Sequence, residues 1–250
     1  MNRTASLLLA PLLLAATAAP AQTTFRLGLR GGVNRALTTV APAGAGAGSS
    51  YNYATNKAAL TAWQAGAVAE IGFGRLAFQP ALIFSQKGEQ QAVSAYQTSG
   101  NFYTSYEQRS TSRYNWLELP LHVLYTPRAG HGLLLLAGPY LALGVGGYRT
   151  GTETFNSNGF AGPLTRSLDG PLPYGQYSTN RRLDYGLDAG LGYRRGPFQV
   201  QLCYSLGLRN LHKVNELEYM DPVVYFLHNF NADAAYNRVL QLTGTYLFKL

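Results

Sequence analysis

Apolar residues recur at every second position along much of this chain. Around its first such run, Phe25, Leu27, Leu29 and Val33 share one parity, while Arg26, Gly28, Arg30, Gly32 and Asn34 share the other. A β-strand sends successive side chains to opposite faces, so this period predicts a strand with one apolar and one polar face. The same split returns over Trp63–Phe73, Leu76–Phe84, Leu117–Tyr125, Leu133–Val145, Leu183–Tyr193, Phe198–Leu208 and Leu240–Leu250. The second parity of these runs carries Glu70, Lys87, Glu118, His122, Asp184 and Asp188, with Arg182 just before the sixth. A tilted membrane strand needs about 9–11 residues, whereas a strand in a soluble protein averages about 5–6. These runs fall in the longer class.

The connections alternate in length. Short ones lie at Gly74-Arg75, Thr126–His131 and Arg194–Pro197; long ones are expected at Thr38–Leu60, Gly88–Ser112, Arg149–Arg181 and Arg209–Tyr236. Short turns at one end and long loops at the other mark an outer-membrane barrel. Aromatics on the apolar parity gather at the short-turn end: Phe25, Phe73, Phe78, Tyr125, Tyr193, Phe198 and Phe248. Such a girdle suits a membrane interface, where rings tolerate mixed polarity.

Parity by itself fits two closed sheets, one apolar outside and one apolar inside. Strand length and the one-ended girdle favour the first. Lipid offers no hydrogen-bond partner to a free strand edge, so the sheet must close. The predicted fold is all-β: an eight-stranded antiparallel up-and-down transmembrane β-barrel with short periplasmic turns and four long extracellular loops. It occupies residues 22–250 as one domain. Arg26, Arg30, Glu70, Glu118, His122, Arg182, Asp184 and Asp188 are then expected to form a lumen charge network.

Composition agrees. The 250 residues are 46% hydrophobic and 12% aromatic but only 13% charged, against about 25% charged in a typical soluble domain. A single cysteine excludes a disulfide framework and any multi-cysteine metal site. The net charge is +8, yet the basic residues are scattered and form no stripe, so nucleic acid is not an expected partner. Residues 1–21 read as a cleaved signal peptide: Arg3, an apolar stretch from Leu7 to Ala18, then Ala19-Pro20-Ala21. Cleavage after Ala21 would leave Gln22 first.

Asn115-Trp116-Leu117-Glu118-Leu119-Pro120-Leu121 and Ala137-Gly138-Pro139-Tyr140-Leu141 resemble the PorT-like outer-membrane β-barrel family. So do the runs Asp184–Tyr193 and Tyr204–Leu211. The closing Tyr246-Leu247-Phe248-Lys249-Leu250 looks like the terminal strand that barrel-assembly machinery reads, with Leu250 where Phe is common. The resemblance implies a barrel in the outer membrane and specifies biochemical activity poorly.

Candidate chemistry is sparse. Glu118 and His122 are four apart on one strand face, about 13 Å, too far for a direct acid–base pair. Asp184 and Asp188 share that spacing. These groups are expected to pair with cations from other strands, Arg26, Arg30, Arg182 or Lys87, because buried charges must pair. His212 and His228, with Glu216, Glu218 and Asp221, match no metal-ligand spacing. Cys203 falls on the inward parity and reads as a small filler. Gly28, Gly31 and Gly32 form no dinucleotide loop. The Ala41–Ser50 run reads as a flexible tip. No catalytic residue, cofactor or metal is expected, and the chain does not read as an enzyme.

The leading functional reading is a structural or accessory barrel with a side-chain-filled lumen. Its partners would be outer-membrane lipid, the barrel-assembly machinery through the last strand, and an envelope or extracellular partner at the tyrosine-rich loops. Two alternatives stand beside it: a small-solute pore, and a membrane-embedded hydrolase or transferase at the rim.

Overall fold

The computed structural model describes residues 23–39, 51–128, 131–159, 161–172, 174, 180–211 and 235–249. The expected leader, the flexible tip and the His212–His228 group lie outside the described residues. Ten strands follow in order: β1 Thr23–Thr39, β2 Tyr51–Phe73, β3 Leu76–Ser99, β4 Phe102–Tyr125, β5 Gly132–Ser157, β6 Leu164–Ser167, β7 Gly170–Pro171, β8 Leu183–Arg195, β9 Phe198–Gly207 and β10 Tyr236–Lys249.

All pairings are antiparallel. The order β4-β3-β2-β1-β10-β9-β8-β5 is joined end to end by β4–β5, so the eight long strands form a closed ring. The short β6 and β7 dock on β5. The register is staggered. Following paired residues from Asp184 through Ala142, Glu118, Ile83, Gly66, Arg30, Thr245 and Gln199 returns to β8 at Arg194, ten residues along. A stagger of this kind tilts every strand against the ring axis.

Alternation governs burial. β8 reads exposed-buried along most of its length, and β9 and β10 do the same. The outward side chains are apolar: Leu135, Leu141, Leu187, Leu202 and Leu242 are about half exposed. The inward ones are polar and buried: Arg30, Glu70, Gln79, Lys87, Asp184, Gln199 and Gln201. Of the two senses that parity allowed, the ring adopts apolar outside and polar inside.

Three hairpins close on two residues. Gly74, Gly100 and Gly196 take the first central position with φ near +60°. That conformation costs other residues a clash at Cβ and matches the strand twist.

One expectation is corrected. Gly88–Ser112 is not a loop. β3 and β4 run through it, paired from Gly88↔Arg113 to Ser99↔Phe102, and turn at Gly100-Asn101. Tyr51–Leu60 and Arg149–Ser157 are likewise strand. β2 to β5 thus rise past the ring as a wall, roughly 40 Å beyond Gly88 at strand spacing. Bulges between Ala59 and Gln64 and between Asn115 and Trp116 mark its base. The sequence hid this wall because outside lipid neither face must be apolar.

Candidate functional site

The ring interior holds a ladder of charged groups in tiers, set by the inward parity of five strands, β1 to β4 and β8. At the short-turn end Glu70 is 1% exposed and receives four donor groups from three residues. Arg194 grips both carboxylate oxygens, with Nη1 donating to Oε1 at 3.0 Å and Nη2 to Oε2. Gln79 Nε2 donates to Oε2 at 2.8 Å, and the half-buried Arg26 approaches Oε1 at 3.4 Å. Arg30 donates to Thr245 at 3.1 Å and to Gln79, while Gln199 accepts from Arg194 Nε at 3.2 Å.

The middle tier is His122 on β4 and Asp188 on β8, joined at 2.8 Å. Above it Lys87 on β3 pairs with Glu118 on β4 at 2.5 Å and lies over the Tyr140 ring. The Tyr140 hydroxyl donates to Asp184 at 3.0 Å, and Asn237 Nδ2 donates to the same carboxylate at 2.8 Å. Gly186 makes room for Tyr140: a Cβ there would stand 2.7 Å from the ring. At the mouth Trp116 and Tyr174 meet edge to face at 5.9 Å, with Tyr174 packed on Gly144. Burial pushes the Tyr174 hydroxyl above its ordinary range.

Arg26, Arg30, Lys87 and Arg194 balance Glu70, Glu118, Asp184 and Asp188 within the ring. His122 Nε2 and Asp188 Oδ2 share the hydrogen bond that ties β4 to β8. His122, Asp188 and Cys203 place ligand-type atoms within 4.8 Å of one another, all buried. A cation there would have to break the His122–Asp188 bond and sit in the field of Arg30, which already acts on Asp188 and Cys203. The set fits a hydrogen-bonded pair with a small filler better than a metal centre.

The ring's outer surface is a continuous apolar belt, a pattern that water does not favour. A family model described as outer membrane protein beta-barrel domain matches residues 20–213. The chain belongs to the outer membrane protein beta-barrel domain family. Two solved structures are similar to this outer-membrane barrel. One is Ail, the attachment invasion locus protein of Yersinia pestis, in complex with the heparin analogue sucrose octasulfate. It is 11% identical, covers 90% of this chain and 99% of its own, and gives a TM-score of 0.39. The other is Neisserial surface protein A, also 11% identical with 90% and 99% coverage and a TM-score of 0.35. No curated protein sequence matches the barrel.

Of the expected lumen residues, Arg30, Glu70, Glu118, His122, Asp184 and Asp188 are buried inside the barrel, and Arg26 is partly so. Arg182 is not among them: it is exposed at the rim, where β8 has yet to begin. Lys249, also on the inward parity, is exposed at the opposite end. Arg194 was missed because it reads as part of the turn after Tyr193. Carrying the β8 parity two residues further would have found it.

Phe25, Phe73, Phe78, Tyr125, Tyr193, Phe198 and Phe248 all point outward and are exposed. Tyr246 joins this set, edge to face with both Phe198 and Phe248 at 5.0 Å. Among the tyrosines expected in loops, Tyr96 and Tyr103 stack at 6.5 Å on the wall. Tyr106 is instead buried in it, its hydroxyl 2.7 Å from Glu153. Tyr177, Tyr219 and Tyr225 lie outside the described residues.

Proposed function

We propose that the chain is an integral outer-membrane barrel with a closed lumen that works through its outer surface as an accessory or interaction protein. The carrying observation is the balanced charge ladder. Its members reach across the barrel to one another, so they occupy the path a solute would take. An eight-stranded barrel is already narrow enough for side chains to fill. In this reading the Gly74 and Gly196 turns face the periplasm, and the wall of β2 to β5, with the Gly100 turn at its tip, faces outward. The outward aromatics at the turn end form the inner-leaflet girdle, and the PorT-like resemblance narrows the family. The last strand, β10, pairs on both sides and would be the segment handed to the assembly machinery.

The test is topology in intact cells. Cys203 is replaced by Ser, and a single new cysteine is placed at Thr98 on the wall or at Arg75 in a turn. A membrane-impermeant maleimide should label the first in whole cells and the second only after disruption. The reverse pattern, or recovery of the protein in the soluble periplasm, overturns the reading.

A further inference from the structure

The outward face of β4 changes character in steps. From the turn end it presents Tyr125, Val123, Leu121, Leu119 and Leu117, then Asn115, then Arg113, Thr111 and Arg109. Leu117 belongs to the apolar belt, and Arg113 stands about 13 Å beyond it, with Arg109 another ~13 Å out. Both arginines are exposed. Neither side chain has a hydrogen bond or ion pair among the described residues.

Three other arginines toward this rim are engaged. Arg35 donates to Thr61 at 3.1 Å. Arg238 donates to two backbone carbonyls and stacks on Tyr236, and Arg209 lies over Tyr185. The β4 pair is left free by its neighbours. Arg113 is flanked across the sheet by Gly88 and Tyr148, and Arg109 by Ala92 and Thr152. The small Ala92 beside Arg109 borders a depression of about 450 Å³ whose lining includes Asn56, Gln90, Arg109, Thr111 and Thr150. The outward carboxylate on this strand, Glu107, sits one step further from the belt.

We infer that this face of the wall binds a phosphorylated glycolipid of the outer leaflet, an assignment that rests on the orientation proposed above. The order along β4 is the order of parts in such a lipid. Acyl chains lie on the leucine belt. Phosphates meet the two guanidiniums, which bind them through charge-assisted, forked hydrogen bonds. Sugar hydroxyls meet the amides and hydroxyls of Asn56, Gln90, Thr111 and Thr150 between and beyond them. A spacing of about 13 Å suits phosphates held apart by a short run of sugar rings. A plain phospholipid can satisfy one arginine but has nothing for the second or for the polar floor.

The test uses the full folded chain in detergent, with binding followed by native mass spectrometry. The probes are a bisphosphorylated disaccharide lipid, phosphatidylglycerol, the deacylated bisphosphorylated disaccharide, and inorganic phosphate. The disaccharide lipid should bind tightest. Arg109→Gln and Arg113→Gln should each weaken it about tenfold, and the double variant more. Arg195→Gln at the opposite end should leave it unchanged. Phosphatidylglycerol binding as well as the disaccharide lipid, or full binding by the double variant, overturns the inference. Equal binding of the deacylated sugar overturns the lipid assignment in favour of a free glycan. Heat-dependent gel mobility and vesicle insertion of the wild type, measured alongside, report on the barrel itself. Loss of those would sink the reading beneath, whereas a barrel that inserts yet ignores the glycolipid sinks this inference alone.

Discussion

Arg194 grips Glu70 from the far side of the ring. The two residues are 124 positions apart, on β8 and β2, with three strands between them along either arc of the ring. Their bond is a strut across the interior. Glu70→Ala leaves Arg194 and Arg26 buried or half-buried without a counter-charge, a loss of about 3–5 kcal/mol. The unfolding temperature in detergent should fall clearly, read by circular dichroism, while the protein still inserts. An unchanged midpoint would mean the strut carries no stability.

Lys87 and Glu118 permit a sharper comparison. Glu118→Ala alone strands a buried ammonium and should destabilise by a similar amount. Replacing both residues by Met removes the charges together and should recover most of that loss, because a buried ion pair gains little over apolar packing. If the double variant is as unstable as the single one, the tier depends on Tyr140 and its neighbours and not on the pair.

The two faces should respond oppositely to charge. Leu141 and Leu187 are 48% and 51% exposed on the apolar belt. Arginine at either should cost about 2–4 kcal/mol near mid-membrane and lower the fraction that runs fast on an unboiled gel. Gln201→Ser faces inward and should leave that fraction nearly intact. Equal damage at both positions would show that the faces are assigned the wrong way round.

Current through planar bilayers separates a plug from a pore. The wild type should be silent or show brief, small events. Glu70→Ala, which loosens the strut, should open larger ones. Steady wild-type conductance with selectivity set by these charges would put the pore reading first.

Cys203 is buried in the interior at 4% exposure. A maleimide should leave the folded protein unmodified and react with one equivalent after boiling in denaturant. Rapid labelling of the folded form would reveal a water-filled path to the lumen.

The ring was legible in sequence because it separates lipid from a polar interior, and that contrast writes a two-residue period into every strand. The wall was not, since its apolar side is a small patch of Val93, Ala95, Tyr106 and Phe155 set among polar residues, and alternation fades past Ser85. Local signals were present: Val93, Tyr96, Thr98, Tyr103 and Thr104 favour strand, and Gly100-Asn101 is a hairpin turn. Parity also loses meaning where a strand leaves the ring, which is why Arg182 and Lys249 seemed inward while Arg194 seemed to belong to a turn. Partner choice was beyond reach for a different reason. Glu118 finding Lys87, and His122 finding Asp188, depends on a stagger that no single strand encodes.

Closure has a consequence for how the chain is made. The seam between β1 and β10 pairs Arg26 with Lys249, and Arg30 reaches Thr245 across 215 positions. Until the last strand arrives, β1 is a bare edge with a full row of unsatisfied amides and carbonyls, open to any other strand it meets. Strands held in water with their apolar faces uncovered are prone to aggregate. Local hairpins can form early, but the sheet cannot be finished from its beginning. Nearly the whole chain must therefore be escorted with its sheet open, and the final strand acts as the clasp that ends that vulnerable interval.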